Sequence, residues 1–217
     1  MQDNKDYIEK IEGAERRFVT ENVHYQTRAE GEDNQEQSVI EGYAFKFNKT
    51  TTIGDWFREE ILPGAADDVM LDDVRCLFNH NPNYVLARSI EGKGTLKLEL
   101  DEVGLKYSYT TPDTSYARDL EENIKLGNVS QSSFGFTIEE QNWVERDGEL
   151  PLRQIIKLKR LYDVSPVTYP AYQDTSVAKR SLESYQSSCK KEEETTGEKR
   201  ETLSVFEAQV LINKSEI

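Results

Sequence analysis

The chain has 217 residues, of which 36% are hydrophobic and 31% are charged, and 27 basic and 41 acidic side chains give a formal net charge of −14. This length is enough for one domain with a hydrophobic core, and the acidic balance argues against nucleic-acid binding, which needs clustered Lys and Arg. With only two cysteines (Cys76 and Cys189), no signal-peptide pattern and no apolar run near the roughly 20 residues of a membrane span, we expect a cytosolic protein with no disulfide framework, zinc finger or membrane contact.

The first third of the chain is predicted to contain strands between polar segments. Evenly spaced apolar side chains from Val39 to Phe47 indicate a half-buried strand. A second strand ends at the Pro-Gly pair at residues 63–64. The other expectations here are a short helix within an N-terminal extension over residues 1–14, an acidic loop over residues 29–37 and a short helix over residues 65–73.

The middle of the chain predicts a hairpin followed by a helix. Leucines alternate with polar residues over 96–100, and the alternation resumes over 105–109 after a turn, so we expect two antiparallel strands with one wet face. Ala117, Leu120 and Ile124 then recur at helical spacing. Asp113 or Thr114 can cap this helix, and Gly127 can end it.

Residues 127–138, GNVSQSSFGFTI, predict a turn that enters a strand. Phe134, Phe136 and Ile138 would share one face, and Ser133 would lie on the other. A long strand over 151–167 and a helix follow. The predicted division is an extension over 1–14, an α+β, mainly antiparallel domain over 15–181, a charged linker over 182–202 and an amphipathic helix over 203–217 that packs on a partner.

Three kinds of side chain could carry hydrolytic chemistry. His80 lies where a strand ends, and histidine is the usual base that removes a proton from a hydroxyl near neutral pH; the alternative is a loop histidine bonded to Asn79 or Asn81. Asp163, at the end of a long strand, could orient an imidazole or cap a turn. Ser-rich turns are most often only turns. These residues alone indicate a β-rich domain that could be a hydrolase.

Two other reactive side chains favour structural roles. His24 lies in a strand-like segment ahead of the core, where we expect a surface position. Cys76 precedes His80 by four residues, which span roughly 13 Å along a strand, too far for a hydrogen bond. Because Cys76 has apolar neighbours, we expect a buried, inert thiol.

Six segments of the chain together resemble a known protein family. They lie between about residues 15 and 180 and read IEGYAFKFN, WFREEILPGA, LFNHNPNYVLARS, GTLKLELDEVGLKYSYTTPDT, SSFGF and YDVSPVTYPAY. In this order and spacing they resemble the prohead (head maturation) proteases of tailed phages, whose fold is similar to herpesvirus assemblin. The resemblance implies a small, mainly antiparallel β-barrel flanked by helices.

The resemblance also implies a serine endopeptidase that needs no cofactor and no metal. Its histidine falls on His80 and its nucleophile on Ser133, with Ser132 as the fallback. Assemblin has a second histidine as its third member; here no histidine follows the serine, so that role falls on Asp163. The turn over residues 168–172 is the expected source of an oxyanion donor.

The expected substrates are the phage scaffold protein, or the scaffolding segment of the major capsid protein, and the protease itself. The expected setting is the assembling procapsid in the host cytoplasm, and a homodimer is the expected assembly. An autolytic cut is expected within residues 182–202, because exposed chain fits a protease groove. Two alternatives stay open: a non-catalytic capsid-assembly or scaffold-binding protein on a protease-like fold, and a general serine esterase.

Overall fold

The computed structural model describes residues 11–19, 23–30, 35–169 and 175–196, which form twelve strands and two helices. The strands are β1 (Glu15–Val19), β2 (His24–Glu30), β3 (Gln35–Lys46), β4 (Thr51–Ile53), β5 (Phe57–Ile61), β6 (Asp73–Leu77), β7 (Val85–Ile90), β8 (Lys93–Gly94), β9 (Lys97–Leu100), β10 (Gly104–Thr110), β11 (Gln131–Val144) and β12 (Leu152–Val167). The helices are α1 (Ser115–Lys125) and α2 (Thr175–Thr196).

The strands form two sheets. The larger has eight strands in the order β1-β11-β12-β6-β7-β8, and β5 joins it beside β12 with β4 beyond β5. The smaller has the order β2-β3-β10-β9. All pairs are antiparallel except β12 with β5 and β12 with β6, so the predicted α+β, mainly antiparallel class is confirmed.

The predicted closed barrel is not found among the described residues. The larger sheet ends at β1 and β8, the smaller ends at β2 and β9, and no strand pair joins these ends. The core instead holds the fold together through side chains of both sheets. Phe45 of β3 and Phe134 of β11 have ring centroids 5.4 Å apart, and Tyr107 of β10 is fully buried in the same cluster.

Where local patterning was strong, the predicted elements are confirmed. The leucine alternation forms β9 and β10, and the long predicted strand forms β12. Ala117, Leu120 and Ile124 are the buried residues of α1, and Gly127 follows it at φ +75°. Thr114 is the cap residue of α1, but its side chain makes no capping hydrogen bond.

The helix predicted over residues 65–73 is wrong. The chain makes turn hydrogen bonds from Ala65 N–H to Leu62 O and from Val69 N–H to Ala66 O. Met70 then pairs in parallel with Arg160 of β12. Pairing with a distant strand satisfies the backbone here, and it outweighs a modest local helix propensity. The loop predicted over 29–37 is also shorter than expected, because β2 continues to Glu30 and β3 begins at Gln35.

The segment predicted as a charged linker is helical from residue 182 as far as residue 196, because α2 continues through it. Leu182 and Tyr185 explain why the helix does not stop: they pack in a second apolar cluster with Phe57 and Trp143. The rings of Trp143 and Tyr185 stack with centroids 5.0 Å apart. The predicted C-terminal helix and most of the predicted N-terminal extension lie outside the described residues, so the domain division stays a prediction.

Candidate active site

Three neighbouring strands bring Ser133, Asp163 and His80 together. Ser133 lies on β11 and Asp163 on β12, and His80 follows β6, the next strand in the sheet. In the register of β11 and β12, Asp163 faces Gly135, two residues from Ser133 on the same face. Gly135 has no side chain, so it places no group between Ser133 and the carboxylate.

The three side chains form a continuous hydrogen-bonded row. His80 Nε2 lies 2.6 Å from Ser133 Oγ, and His80 Nδ1 lies 3.0 and 3.1 Å from the two carboxylate oxygens of Asp163. An ionised carboxylate only accepts, so Nδ1 carries a proton and donates it to Asp163. This arrangement matches the geometry by which an imidazole removes a proton from a serine while an acid fixes its orientation.

The loop that carries His80 is held in an uncommon backbone conformation. Asn79 and His80 have φ angles of +54° and +55°, in the left-handed region that Asn and His tolerate better than most residues. Asn79 N–H donates to Pro166 O at 3.0 Å, and Asn79 Oδ1 accepts hydrogen bonds from the N–H and hydroxyl of Thr168 at 2.9 and 3.2 Å. These contacts fix the loop to the end of β12, close to Asp163.

The two adjacent serines have different surroundings. Ser132 Oγ donates a 3.0 Å hydrogen bond to the hydroxyl of Tyr107, toward the smaller sheet. Ser133 Oγ lies beside His80. Successive side chains of a strand point to opposite faces, so only one of the two can meet the imidazole. Phe134 and Phe136 lie in the core as expected, and they fix which face Ser133 occupies.

The row of three side chains is closed to solvent. The exposed fractions of Ser133, His80 and Asp163 are 0%, 5% and 3%. Strand β1 covers Ser133 from the edge of β11: Phe18 is its partner in the register, and Ser133 Oγ donates a 2.9 Å hydrogen bond to Arg17 O. A peptide carbonyl therefore has no path to Ser133 in this state.

A buried group of four charged side chains fastens β1 to the sheet. We call Glu15, Arg17, Glu59 and Arg153 the ion cluster; each is at most 6% exposed. Arg17 binds Glu59 through Nε and Nη2, at 2.5 and 2.9 Å. Arg153 binds Glu15 at 2.8 Å and Glu59 at 3.0 Å. Burial alone would raise the pKa of Glu15, but Arg17 and Arg153 lower it to about 2.

The remaining candidates have structural positions. His24 is exposed on β2, and Cys76 is fully buried on β6, where burial and then the Asp163 carboxylate raise the pKa of its thiol, so both expectations are confirmed. In the turn expected to supply an oxyanion donor, the Thr168 N–H already donates to Asn79, and residues 170–172 lie outside the described part.

Over the described ranges, no group of three His, Cys, Asp or Glu side chains could hold a metal ion. In the same part of the chain, no helix is both long and apolar enough to cross a membrane.

Sequence reasoning missed two features of the site. It assigned no role to Asn79 beyond a partner for His80. An Asn-His pair directly before Asn-Pro is nevertheless a signal for left-handed backbone. It also missed β1 and the ion cluster. Glu15 and Arg17 are ordinary surface residue types in the sequence, and their partners are far away in the chain: Glu59 is 42 positions from Arg17, and Arg153 is 138 positions from Glu15.

A family sequence model and one related phage protein agree with the resemblance seen in the sequence. Residues 23–188 match the sequence model of a family described as caudovirus prohead serine protease. The prohead protease of Enterobacteria phage HK97 is 31% identical over 147 residues, which cover 65% of this chain and 60% of that protein. This chain thus spans about 60% of that relative's length. The solved structure of the bacteriophage T4 capsid assembly protease aligns over 70% of this chain and 98% of that one, with 9% identity and a TM-score of 0.37.

Proposed function

Since the chain belongs to the caudovirus prohead serine protease family, we propose that it is a serine endopeptidase of phage head maturation that uses Ser133 as nucleophile. The observation that carries this proposal is the position of His80 between Ser133 Oγ at 2.6 Å and the Asp163 carboxylate at 3.0 Å. A loop histidine bonded only to its neighbouring asparagines would not need either contact.

In the proposed reaction, Ser133 Oγ attacks the carbonyl carbon of a peptide bond while His80 Nε2 takes the hydroxyl proton. The tetrahedral intermediate collapses when His80 returns that proton to the leaving amine, and Ser133 is left as an ester of the acyl fragment. A water molecule, deprotonated by His80 in turn, then hydrolyses the ester and restores the serine. No redox partner or cofactor enters this sequence.

Asp163 has the orienting role in this scheme. It accepts the Nδ1 proton of His80, so the lone pair of the neutral imidazole is presented at Nε2, toward Ser133. It also stabilises the imidazolium that forms when His80 takes the serine proton. The buried surroundings strengthen this attraction, because little water screens the two groups.

The proposed substrates are proteins of the assembling phage head. We propose scaffold protein, or the scaffolding segment of the major capsid protein, as the substrate, with cleavage inside the procapsid in the host cytoplasm. The homodimer stays a prediction. Self-cleavage stays a prediction too, but α2 covers residues 182–196, and a protease groove needs extended chain. A cut there would require that part of α2 to unwind.

The test is co-assembly of procapsids from the phage capsid and scaffold proteins with this chain or its serine variants. Ser133→Ala should fold normally and reduce cleavage by roughly 10⁴-fold or more, because the nucleophile and its partners act as a unit. Cleavage is measured by gel electrophoresis and by mass spectrometry of the new termini.

Ser132→Ala is the matched control, since it removes the same hydroxyl oxygen from the neighbouring residue. Its hydroxyl contacts Tyr107 and not His80, so cleavage should stay within a few-fold of the parent rate, roughly the effect of one lost hydrogen bond. Parental cleavage by Ser133→Ala would refute the nucleophile. Procapsids that mature around the parent chain without any cut would favour the non-catalytic assembly protein.

A further inference from the structure

We propose that β1 occupies the binding site of the substrate peptide, and that an extended segment of the cleaved protein replaces β1 on the edge of β11 before Ser133 reacts. This inference rests on the proposed function, and it adds how the substrate binds and what keeps the site inactive until then. The occupant is an extended peptide strand, held first by its backbone.

The position of β1 over Ser133 is the first support. β1 is the last strand of the larger sheet and runs antiparallel to β11. Phe18 pairs with Ser133 in the register and therefore shares its face, and the peptide oxygen of Arg17 lies 2.9 Å from Ser133 Oγ. The chain thus presents one of its own peptide groups to the nucleophile, with the oxygen rather than the carbonyl carbon in contact.

The contact with Arg17 also competes with His80 for the proton of Ser133. A serine hydroxyl has one proton, and both Arg17 O at 2.9 Å and His80 Nε2 at 2.6 Å lie within hydrogen-bond distance of Ser133 Oγ. Only one of the two can accept the proton at a time, so Arg17 O reduces the fraction of molecules in which His80 can remove it. Departure of β1 removes the competing acceptor, and the proton is then free to turn toward His80 at 2.6 Å.

The edge that β1 leaves is suited to a peptide of varied sequence. Without β1, the outer edge of β11 around Ser133 would present unpaired N–H and C=O groups. An extended peptide can add to such an edge by main-chain hydrogen bonds, with side chains selected by neighbouring pockets. A cavity beside this edge has both apolar and charged lining residues, among them Phe18, Phe45, Phe134, Lys46, Glu59 and Glu60.

The ion cluster is arranged so that no buried charge is left without a partner when β1 dissociates. Glu15 and Arg17 depart together as a neutral pair. Glu59 and Arg153 stay behind, already joined at 3.0 Å, and they are neutral together as well. A buried ion without a partner would be strongly unfavourable. Because the cluster divides into two neutral pairs, it can hold β1 on the sheet and still allow β1 to dissociate.

The experiment measures how fast a fluorophosphonate, a reagent that reacts with activated serines, labels Ser133 in the full chain. The variant is Glu15→Gln with Arg17→Met, which removes the ionic contacts of β1 and leaves the Glu59–Arg153 pair in place. The labelling rate follows the fraction of molecules in which β1 is displaced, so it should rise about tenfold or more.

Asp113→Asn with Arg118→Met is the matched control. It removes the same number of charges from an exposed ion pair on another face, and it should label at the parent rate. A synthetic peptide with the sequence of residues 11–19 should slow labelling of the loosened variant when added in excess, and a scrambled peptide should not. Hydrogen exchange should quicken at the amides of β1 while those of β12 stay protected.

Each outcome decides the inference. Faster exchange in β1 with unchanged labelling would show that β1 does not control access to Ser133. Unchanged exchange and unchanged labelling would show that the ion cluster does not hold β1, and would overturn the inference as well. The proposed function fails in a different way: labelling that survives Ser133→Ala in the loosened variant would refute the nucleophile, and labelling without peptide cleavage would refute the protease.

Discussion

Replacing Glu15 with glutamine should destabilise the folded chain by an amount that depends on pH. The change removes one negative charge from the ion cluster and leaves two arginines against one carboxylate, that of Glu59. Burial raises the pKa of Glu15, but Arg17 and Arg153 more than offset this and lower it from 4.5 to about 2. At about 1.4 kcal/mol per pH unit, this difference corresponds to about 3 kcal/mol of folding free energy at pH 7.

The sign of the pH effect follows from the lowered pKa. A carboxyl group whose pKa is lower in the folded chain stabilises it fully above the unfolded value of 4.5, and this contribution disappears as the pH falls toward 2. By pH 3 it should have fallen to about half. The Glu15→Gln variant cannot titrate at this position. The difference in unfolding free energy between parent and variant should therefore also fall to about half between pH 7 and pH 3.

The assay is urea unfolding of the parent and of Glu15→Gln at pH 7 and pH 3, followed by tryptophan fluorescence. Asp113→Asn is the control, since Asp113 is 95% exposed and pairs with Arg118 at the surface. Such a pair should contribute less than about 1 kcal/mol at either pH. A Glu15→Gln cost below about 1 kcal/mol at pH 7, or one that does not change with pH, would refute this reasoning about the cluster.

Three further substitutions test the surroundings of the site. Asp163→Asn should keep the fold and lower kcat by about 10³–10⁴-fold, because the imidazole loses its orienting carboxylate; a loss below tenfold would contradict this role. Asn79→Ala should lower kcat by roughly tenfold, through strain at φ +54° and the lost bonds to Thr168, and Asn79→Gly, which relieves only the strain, separates the two causes. Trp143→Ala should cost about 2–3 kcal/mol in thermal unfolding and loosen α2; an unchanged melting temperature would show that this contact does not hold the helix.

Local periodicity predicted the elements in which one face is buried and the other is wet. The alternation of Leu105, Tyr107 and Tyr109 in β10, the helical spacing in α1 and the Phe134–Phe136 pattern of β11 each depend on residues close together in the chain. The helix prediction for residues 65–73 failed because their backbone partners belong to β12, about 90 positions later in the chain. Pairing with so distant a strand cannot be detected from the neighbouring sequence. The helix over residues 182–196 was not visible in the sequence for a related reason, since distant apolar contacts of Leu182 and Tyr185 stabilise a segment whose composition resembles a linker.

The sequence predicted only part of the candidate site. The motifs pointed to His80, Asp163 and a serine pair, but His80 is 53 positions from Ser133 and 83 from Asp163, so their contact depends on strand order. The choice between Ser132 and Ser133 depends on which face of β11 each occupies. That face is set by the core contacts of Phe134 and by the bond from Ser132 to Tyr107.

By itself, then, the sequence determined the class of fold, the strands with alternating faces and the residue types of the site, because these follow from side chains close together in the chain. Tertiary structure alone decided the division of the described strands into two separate sheets, the position of β1 over Ser133 and the burial of the ion cluster. The physical reason is that a charged residue is stable in the interior only when opposite charges meet it there. Glu15 and Arg17 meet Glu59 and Arg153 only after β1, β5 and β12 have come together.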